Sequence, residues 1–121
     1  MEKTMDKEAM KQRTKQFALR VIKLTESLPV GRTADVLGKQ LLCSGTSFGA
    51  NYRAACRAKS NADFIHKMGT VEEESDESLF WMELLTEARL VKQERIADLM
   101  NEADQLVAIT VASIKTAKQH K

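Results

Sequence analysis

The fold of this chain is decided by the stretch LLCSGTSFGANYR at residues 41–53. Its neighbours are good helix formers, yet it contains two glycines, and a glycine inside a helix costs roughly 0.5–1 kcal/mol relative to alanine. Gly45 and Gly49 lie four residues apart, so in a helix they share one face. A face without side chains lets another backbone come close. This predicts a close-packing motif at Gly45 and Gly49 against a helix of the same bundle or of a neighbouring subunit. A second row of small residues lies beside them: Ala50, Ala54 and Ala58.

The composition indicates one all-α domain. A chain of 121 residues is long enough for a single domain, 1–121, with one hydrophobic core. Its 43% hydrophobic and 30% charged residues are ordinary for a soluble globular protein, and one proline with five glycines leaves few places to break a helix. Helix-forming residues predominate, which favours the all-α class.

Apolar residues recur at helical spacing in four segments. The pattern predicts helices at about 5–28, 33–58 and 62–88, and a fourth from the turn at 88–92 nearly to the C-terminus. Ser60 or Asn61 is expected to cap the third helix. Long helices joined by short loops pack as antiparallel neighbours, so the predicted architecture is an up-down-up-down four-helix bundle. The pattern of the first two helices is carried by Phe17, Val21, Leu24, Leu28, Val36, Leu37, Gln40 and Leu41.

The sequence points to the cytoplasm. No apolar run approaches the roughly 20 residues that span a bilayer, and the polar N-terminus does not resemble a signal peptide, so no membrane association is expected. Cys43 and Cys56 are then expected to be reduced thiols. Their surroundings favour small buried hydrophobic residues over metal ligands or catalytic groups.

No pattern of residues indicates catalysis, and we predict that the chain is not an enzyme. The acidic cluster at 72–77 lacks the Glu-x-x-His motif of di-iron bundles, so neither a metal nor a cofactor is expected. Asp63, His66 and Glu73 could meet on the third helix, and a serine such as Ser44 could complete a triad, but no spacing requires it. The pair Phe80 and Trp81 is typical of an anchor for a core or an interface.

Charge is distributed unevenly along the chain. Residues 1–67 hold thirteen Lys and Arg against six Asp and Glu, whereas residues 68–121 hold six against eleven, and the net charge is +2. Two interpretations stay open: a basic surface for nucleic acid, or a basic half that packs against an acidic half within or between subunits. Tyr52 could stack on a base. The candidate phosphate-binding residues are Arg13, Lys15, Arg20, Lys23, Arg53, Arg57 and Lys59, with Lys67 nearby.

The residues that carry this pattern also carry a family resemblance. The stretch at 41–55 resembles the signature of a family of small bacterial proteins encoded by intervening sequences of large-subunit ribosomal RNA genes and by free-standing genes. A second block is similar at 63–68 and 71–85, and weaker likenesses lie at 17–24 and 114–117. Cys43 and Ala55 stand where the family often has a basic and an acidic residue.

The resemblance implies an antiparallel four-helix bundle with no known catalytic residues. The family is similar to the accessory protein of diversity-generating retroelements, which forms a pentameric ring and binds nucleic acid through basic surface. It therefore implies a homo-oligomer, with a pentamer favoured, that associates with RNA or DNA. The alternative is a protein-interaction scaffold without a nucleic-acid role.

Overall fold

The structure, a computed structural model, describes residues 6–120. Four helices make up the fold: α1, Lys7–Glu26; α2, Arg32–Cys56; α3, Asn61–Glu87; and α4, Gln93–Gln119. The prediction of an all-α protein with four helices is confirmed, and the predicted helix ends lie within two residues of the observed ones. In this part of the chain no helix is both long enough and apolar enough to cross a membrane.

Local chemistry sets where the helices begin and end. The Asp6 carboxylate accepts a hydrogen bond from the Ala9 amide at 3.0 Å and caps α1. Ser60 does the same for α3, accepting from the Asp63 amide at 3.1 Å, as expected for one of the two predicted caps. Gly31 precedes α2 with a φ of 154°, a conformation that glycine adopts without a steric penalty.

The turn after α3 has the hydrogen bonds of a Schellman motif. Arg89 adopts the left-handed conformation, with a φ of 64°. The Leu90 amide donates to the Leu85 carbonyl at 2.9 Å, and the Arg89 amide donates to the Thr86 carbonyl at 3.0 Å. This turn reverses the chain so that α4 returns along α3.

Contacts run in opposite directions along the α1–α2 and α1–α4 pairs, and one contact joins the start of α3 to the end of α4. A Cβ atom on Gly45 would lie 2.9 Å from Val21, and one on Gly49, four residues later in α2, would lie 3.2 Å from Thr14, seven residues earlier in α1. At the α1–α4 contact, Arg13 meets Glu102, whereas Ser27, near the other end of α1, meets Arg95. The Asn61 amide at the start of α3 donates to the Ala117 carbonyl near the end of α4 at 2.8 Å. These contacts follow the order that an up-down-up-down bundle requires.

The core is drawn from all four helices. Phe17 of α1 and Phe48 of α2 pack edge to face, with ring centroids 5.7 Å apart. The Ser44 and Ser78 hydroxyl oxygens lie 3.1 Å apart and join α2 to α3 within the core. Other fully buried side chains surround these pairs: Met10, Leu41, Met68, Val71, Met82, Leu85, Ile96 and Leu106.

The expected inner face of α2 is wrong at two positions. Val36 and Gln40 are exposed, because the buried face of α2 follows Ala34, Gly38 and Leu41 instead. The second row of small residues lies on the outer side of α2. Its members Ala50 and Ala54 are exposed, and Ala58 is half-buried.

Candidate nucleic-acid interface

Gly45 and Gly49 face α1 at close range. The nearest atoms to an added Cβ are the Val21 methyl carbons at Gly45 and the Thr14 hydroxyl oxygen at Gly49. Val21 is fully buried and, being β-branched, has little rotamer freedom to move aside. The glycines therefore bring α1 and α2 together, and this close approach places the cations of α1 beside those of α2.

The first basic surface is a groove along the outside of the α1–α2 contact, which we call the α1–α2 groove. It has a volume of about 340 Å³. Its floor is formed by small residues, Ala18, Gly49 and Ala50, and two predicted cations, Lys15 and Arg53, border it. Lys11 lines it too, but pairs with Glu8 at 3.2 Å.

The second basic surface is a groove between α1 and α4, which we call the α1–α4 groove. It encloses about 430 Å³, since these two helices touch each other only lightly. Two predicted cations, Arg20 and Lys23, line it together with Arg95 from the first turns of α4. Among the described residues of this lining there is no carboxylate. The Arg95 guanidinium donates to the Ser27 hydroxyl at 3.0 Å, which ties it to the end of α1.

Arg95 was missed by the sequence reasoning. It follows Arg89 and Lys92 at spacings of three residues, but it lies in the half of the chain whose net charge is acidic, so a comparison of the two halves does not mark it. Only the antiparallel return of α4 brings it opposite Arg20 and Lys23. The signal that could have found it is its position one turn into α4, level with the end of α1.

Arg13 is not available in the way that the sequence predicted. Its guanidinium Nε donates to Glu102 Oε2 at 2.7 Å, and Nη2 donates to Glu102 Oε1 at 2.9 Å and to Gln105 Oε1 at 2.7 Å. A two-pronged contact with a carboxylate is the strong form of an ion pair. Arg13 therefore joins α1 to α4, and this pair is one place where the basic half of the chain meets the acidic half within one molecule.

Tyr52 cannot stack on a base as predicted. It is only 5% exposed and lies in the core cluster. Burial, followed by a hydrogen bond with Cys56, raises the pKa of the Tyr52 hydroxyl well above its ordinary value. The helical period explains the correction, because Tyr52 lies four residues after Phe48 and seven after Gly45, on the face that turns inward.

The remaining predicted cations lie at the α2–α3 junction. Arg57 and Lys59 are exposed, and the structure places neither in either basic groove. Lys67 pairs with the Asp63 carboxylate at 2.8 Å. That contact, with the Lys59 amide as a further donor, lowers the pKa of Asp63.

The outer side of α3 carries a third surface, which we call the aromatic–acidic face. Its centre is Phe80, which is 50% exposed and packs edge to face on Trp81 at 5.0 Å. The Trp81 indole N–H is buried with no hydrogen-bond acceptor among the residues described. Five exposed carboxylates occupy positions three, four or seven residues from Phe80: Glu73, Asp76, Glu77, Glu83 and Glu87.

These carboxylates repel one another. Burial, and then the charges of Glu77 and Glu73, raise the pKa of Glu74 on the same helix. Within residues 6–120, no Lys or Arg forms an ion pair with a carboxylate of the aromatic–acidic face. Its charge is therefore left uncompensated by the part of the chain that the structure describes.

The residues considered for catalysis are not brought together. Ser44 is buried, and the group beside its hydroxyl is Ser78 rather than a base. His66 is exposed, and Asp63 pairs with Lys67. Among the described residues, no three His, Cys, Asp or Glu side chains come together as a metal site would require.

The expectation of two buried cysteines is wrong for Cys43 and is met in part by Cys56, which packs against the core. Cys43 is exposed and Cys56 is half-buried. Leu41, Ser44 and Gly45 fill the inward positions of this turn of α2, which leaves Cys43 on the outside.

A comparison with known protein families shows which family the chain belongs to. The family described as 23S rRNA-intervening sequence protein matches residues 6–112. The chain belongs to this family. No curated protein matches it. The family resemblance noted in the sequence is thereby confirmed.

A solved structure supports the same assignment. It is the crystal structure of a protein of unknown function from the S23 ribosomal protein family of Bacteroides thetaiotaomicron VPI-5482. The two chains are 33% identical and superpose with a TM-score of 0.85, over 92% of this chain and 99% of that one. The four-helix arrangement is therefore one that this family adopts in a crystal.

Proposed function

We propose that this protein is a non-enzymatic, self-associating helical bundle that binds RNA in the α1–α4 groove. The observation that carries the proposal is the convergence of Arg20, Lys23 and Arg95 in one groove whose described lining has no carboxylate. Uncompensated cations on a concave surface attract a phosphate backbone, and the release of counterions from that backbone drives binding. The family description, which refers to 23S rRNA, favours RNA over other polyanions.

The groove can contact a backbone without reading its sequence. Its polar groups are two guanidinium groups, one ammonium group and the Ser27 hydroxyl, all of which suit phosphate oxygens. Tyr52 is buried and cannot stack on a base. Binding should therefore depend on the spacing of phosphates in a folded RNA more than on base identity. Such a role belongs in the cytoplasm, where ribosomal RNA is found in bacteria.

The test is a titration of a 23S rRNA fragment over a series of salt concentrations. Wild-type protein should bind with an affinity that falls steeply as salt rises. The triple variant Arg20→Gln/Lys23→Gln/Arg95→Gln should bind more weakly, and its log–log salt slope should be shallower by about 2, since each phosphate contact contributes about 0.7–0.9 to the slope.

A matched control removes the same charge elsewhere. Arg32, Lys115 and Lys118 are exposed and lie outside the α1–α4 groove, so their triple change to Gln should reduce affinity much less. Equal losses in the two triple variants would place binding outside the groove. Wild-type protein without salt-sensitive RNA binding at micromolar concentration would leave the scaffold function as the better proposal.

The scaffold alternative has an observation of its own in the aromatic–acidic face. A cluster of carboxylates around Phe80 repels nucleic acid, so this surface suits a protein. The two proposals are compatible, because the aromatic–acidic face lies on α3 whereas the basic groove lies between α1 and α4.

A further inference from the structure

Two surfaces of this chain lie outside the α1–α4 groove, and they are complementary in shape and in charge. The aromatic–acidic face projects an exposed aromatic ring surrounded by five carboxylates. The α1–α2 groove is concave, has a floor of small residues and is bordered by cations, and the one carboxylate of its described lining, Glu8, is paired with Lys11. We propose that the aromatic–acidic face docks into the α1–α2 groove of a second copy of this chain. This inference rests on the self-association in the proposed function and names the surfaces that produce it.

The shapes of the two surfaces are complementary. Phe80 is half exposed on α3 and packs edge to face on Trp81. The groove has no bulky side chain on its floor, because Ala18, Gly49 and Ala50 leave a volume of about 340 Å³, larger than a phenyl ring. An aromatic side chain that enters a pocket is the usual anchor of a protein interface.

Apolar residues continue beyond the groove. Leu19 is 51% exposed, Ile22 is 36% exposed and Leu42, on the neighbouring helix, is 37% exposed. Leu42 lines a shallow groove with Thr25, which lies three residues after Ile22, so the three apolar side chains lie on one side of the α1–α2 pair. They provide apolar area beside the point where Phe80 would enter.

The charges are also complementary. Lys15 and Arg53 make no ion pair with any residue between 6 and 120, and neither do the five carboxylates around Phe80. Docking would bring these two unpaired sets together. It would also bring cations beside α3, where burial, and then the charges of Glu77 and Glu73, raise the pKa of Glu74.

The partner has to be a second molecule. Helices α1 and α3 lie on a diagonal of the bundle, and their backbones do not approach each other in the described residues. Lys7 lies over the Phe64 ring, 6.0 Å from its centroid, but this contact joins the starts of the two helices, sixteen residues before Phe80. The face of α3 around Phe80 therefore cannot reach the groove of its own chain. Because face and groove are different surfaces, a docked pair retains one unused face on one copy and one unused groove on the other. Such head-to-tail contacts generate a closed ring or an open filament.

Charge reversal tests the pairing directly. The groove variant is Lys15→Glu/Arg53→Glu, and the face variant is Glu77→Lys/Glu83→Lys. Each places like charges opposite each other and should raise the dissociation constant of self-association at least about tenfold, as measured by sedimentation equilibrium. The swap variant, which carries all four changes, restores opposite charges and should recover most of the wild-type assembly.

The controls separate docking from folding. Circular dichroism should show the same helix content in all variants, and Lys115→Glu/Lys118→Glu should not alter assembly. Phe80→Ser should weaken assembly without any change of charge. The proposal is overturned if wild-type protein is a monomer, if either reversal leaves assembly intact, or if the swap variant fails to recover it.

The outcome is independent of RNA binding in the α1–α4 groove. None of the reversed residues lies in that groove, so RNA titration of the same variants tests the other part of the proposed function. Assembly that responds as expected without RNA binding would support the docking and remove the RNA role. A monomer that binds RNA through Lys15 and Arg53 would assign the α1–α2 groove to nucleic acid and overturn the docking.

Discussion

Single atoms decide how closely α1 and α2 approach. Gly45 lies against Val21, which is fully buried and stiff, so the space for even one methyl group is absent. Gly69 of α3 is different, since nothing lies within 4 Å of where its Cβ would be. The same residue type is therefore required by packing at one position and not at the other.

Gly45→Ala should destabilise the protein by about 1–3 kcal/mol. The added methyl group overpacks the α1–α2 contact, and this cost exceeds the stabilisation that alanine gains from its higher helix propensity. Gly69→Ala is the matched control and should stabilise it by about 0.5–1 kcal/mol through helix propensity alone. Chemical denaturation of both variants measures the difference. Equal shifts of the same sign would show that Val21 moves aside and that Gly45 has no packing role.

At the scale of the helix, α3 combines a good core face with an unfavourable outer face. Met68, Val71, Met82 and Leu85 are fully buried, whereas the opposite side carries the carboxylates around Phe80. The helix begins with a strong Ser60 cap, and its last turn has no basic residue. Its stability therefore comes from packing, and its charge weakens it at neutral pH.

Glu74→Gln should raise the melting temperature at pH 7. Burial and the neighbouring Glu77 and Glu73 raise the pKa of Glu74, so in the folded protein ionisation of this carboxyl is unfavourable. A raised folded-state pKa means that stability is highest below the unfolded pKa and is lost as pH rises through the folded value. Gln imitates the protonated form and removes that loss.

The difference in melting temperature between Glu74→Gln and the wild type should disappear below about pH 4. There the Glu74 carboxyl is protonated in both the folded and the unfolded state. Thermal melts between acidic and neutral pH measure it. The control Asp104→Asn changes an exposed carboxylate on α4 and should not reproduce the pH dependence. If Glu74→Gln raised the melting temperature by the same amount at every pH, the cause would be packing rather than charge.

At the scale of the whole molecule, the weakest contact is the one that closes the bundle. Helices α1 and α4 pack less extensively than the three pairs that are consecutive in sequence. Polar contacts occur at both ends of the α1–α4 contact. Arg13 bonds to Glu102 and Gln105 at one end, and Arg95 bonds to Ser27 at the other. Between them the α1–α4 groove stays open, which gives the proposed RNA site its depth.

A double-mutant cycle with Arg13→Gln and Glu102→Gln should give a coupling energy of about 1 kcal/mol, since the pair is two-pronged and largely shielded from water. Denaturation of the wild type, both single variants and the double variant provides it. Arg13→Gln should leave RNA affinity almost unchanged, in contrast to Arg20→Gln. A coupling energy near zero, or an RNA defect for Arg13→Gln, would return Arg13 to the set of phosphate ligands.

The sequence by itself determined the four helices, most of the buried face of each and the family. These features depend on local patterns, such as apolar spacing, the cap at Ser60 and the two glycines of the 41–53 stretch. A local pattern involves residues that are close together in the sequence, so it can be recognised without the tertiary structure. Charge asymmetry allowed two interpretations, a basic surface for nucleic acid or a basic half that packs against an acidic half, and it did not say which residues would be paired.

Only the tertiary structure decided which charges are already paired and which converge. It joined Arg13 to Glu102, 89 residues away in sequence, brought Arg95 to Arg20 and Lys23, and turned Tyr52 into the core and Cys43 out of it. The physical reason is that a Coulombic or hydrogen-bond interaction depends on distances of a few ångströms between side chains on different helices. Those distances are set by how closely the helices pack, and here by the absence of a side chain at Gly45 and Gly49.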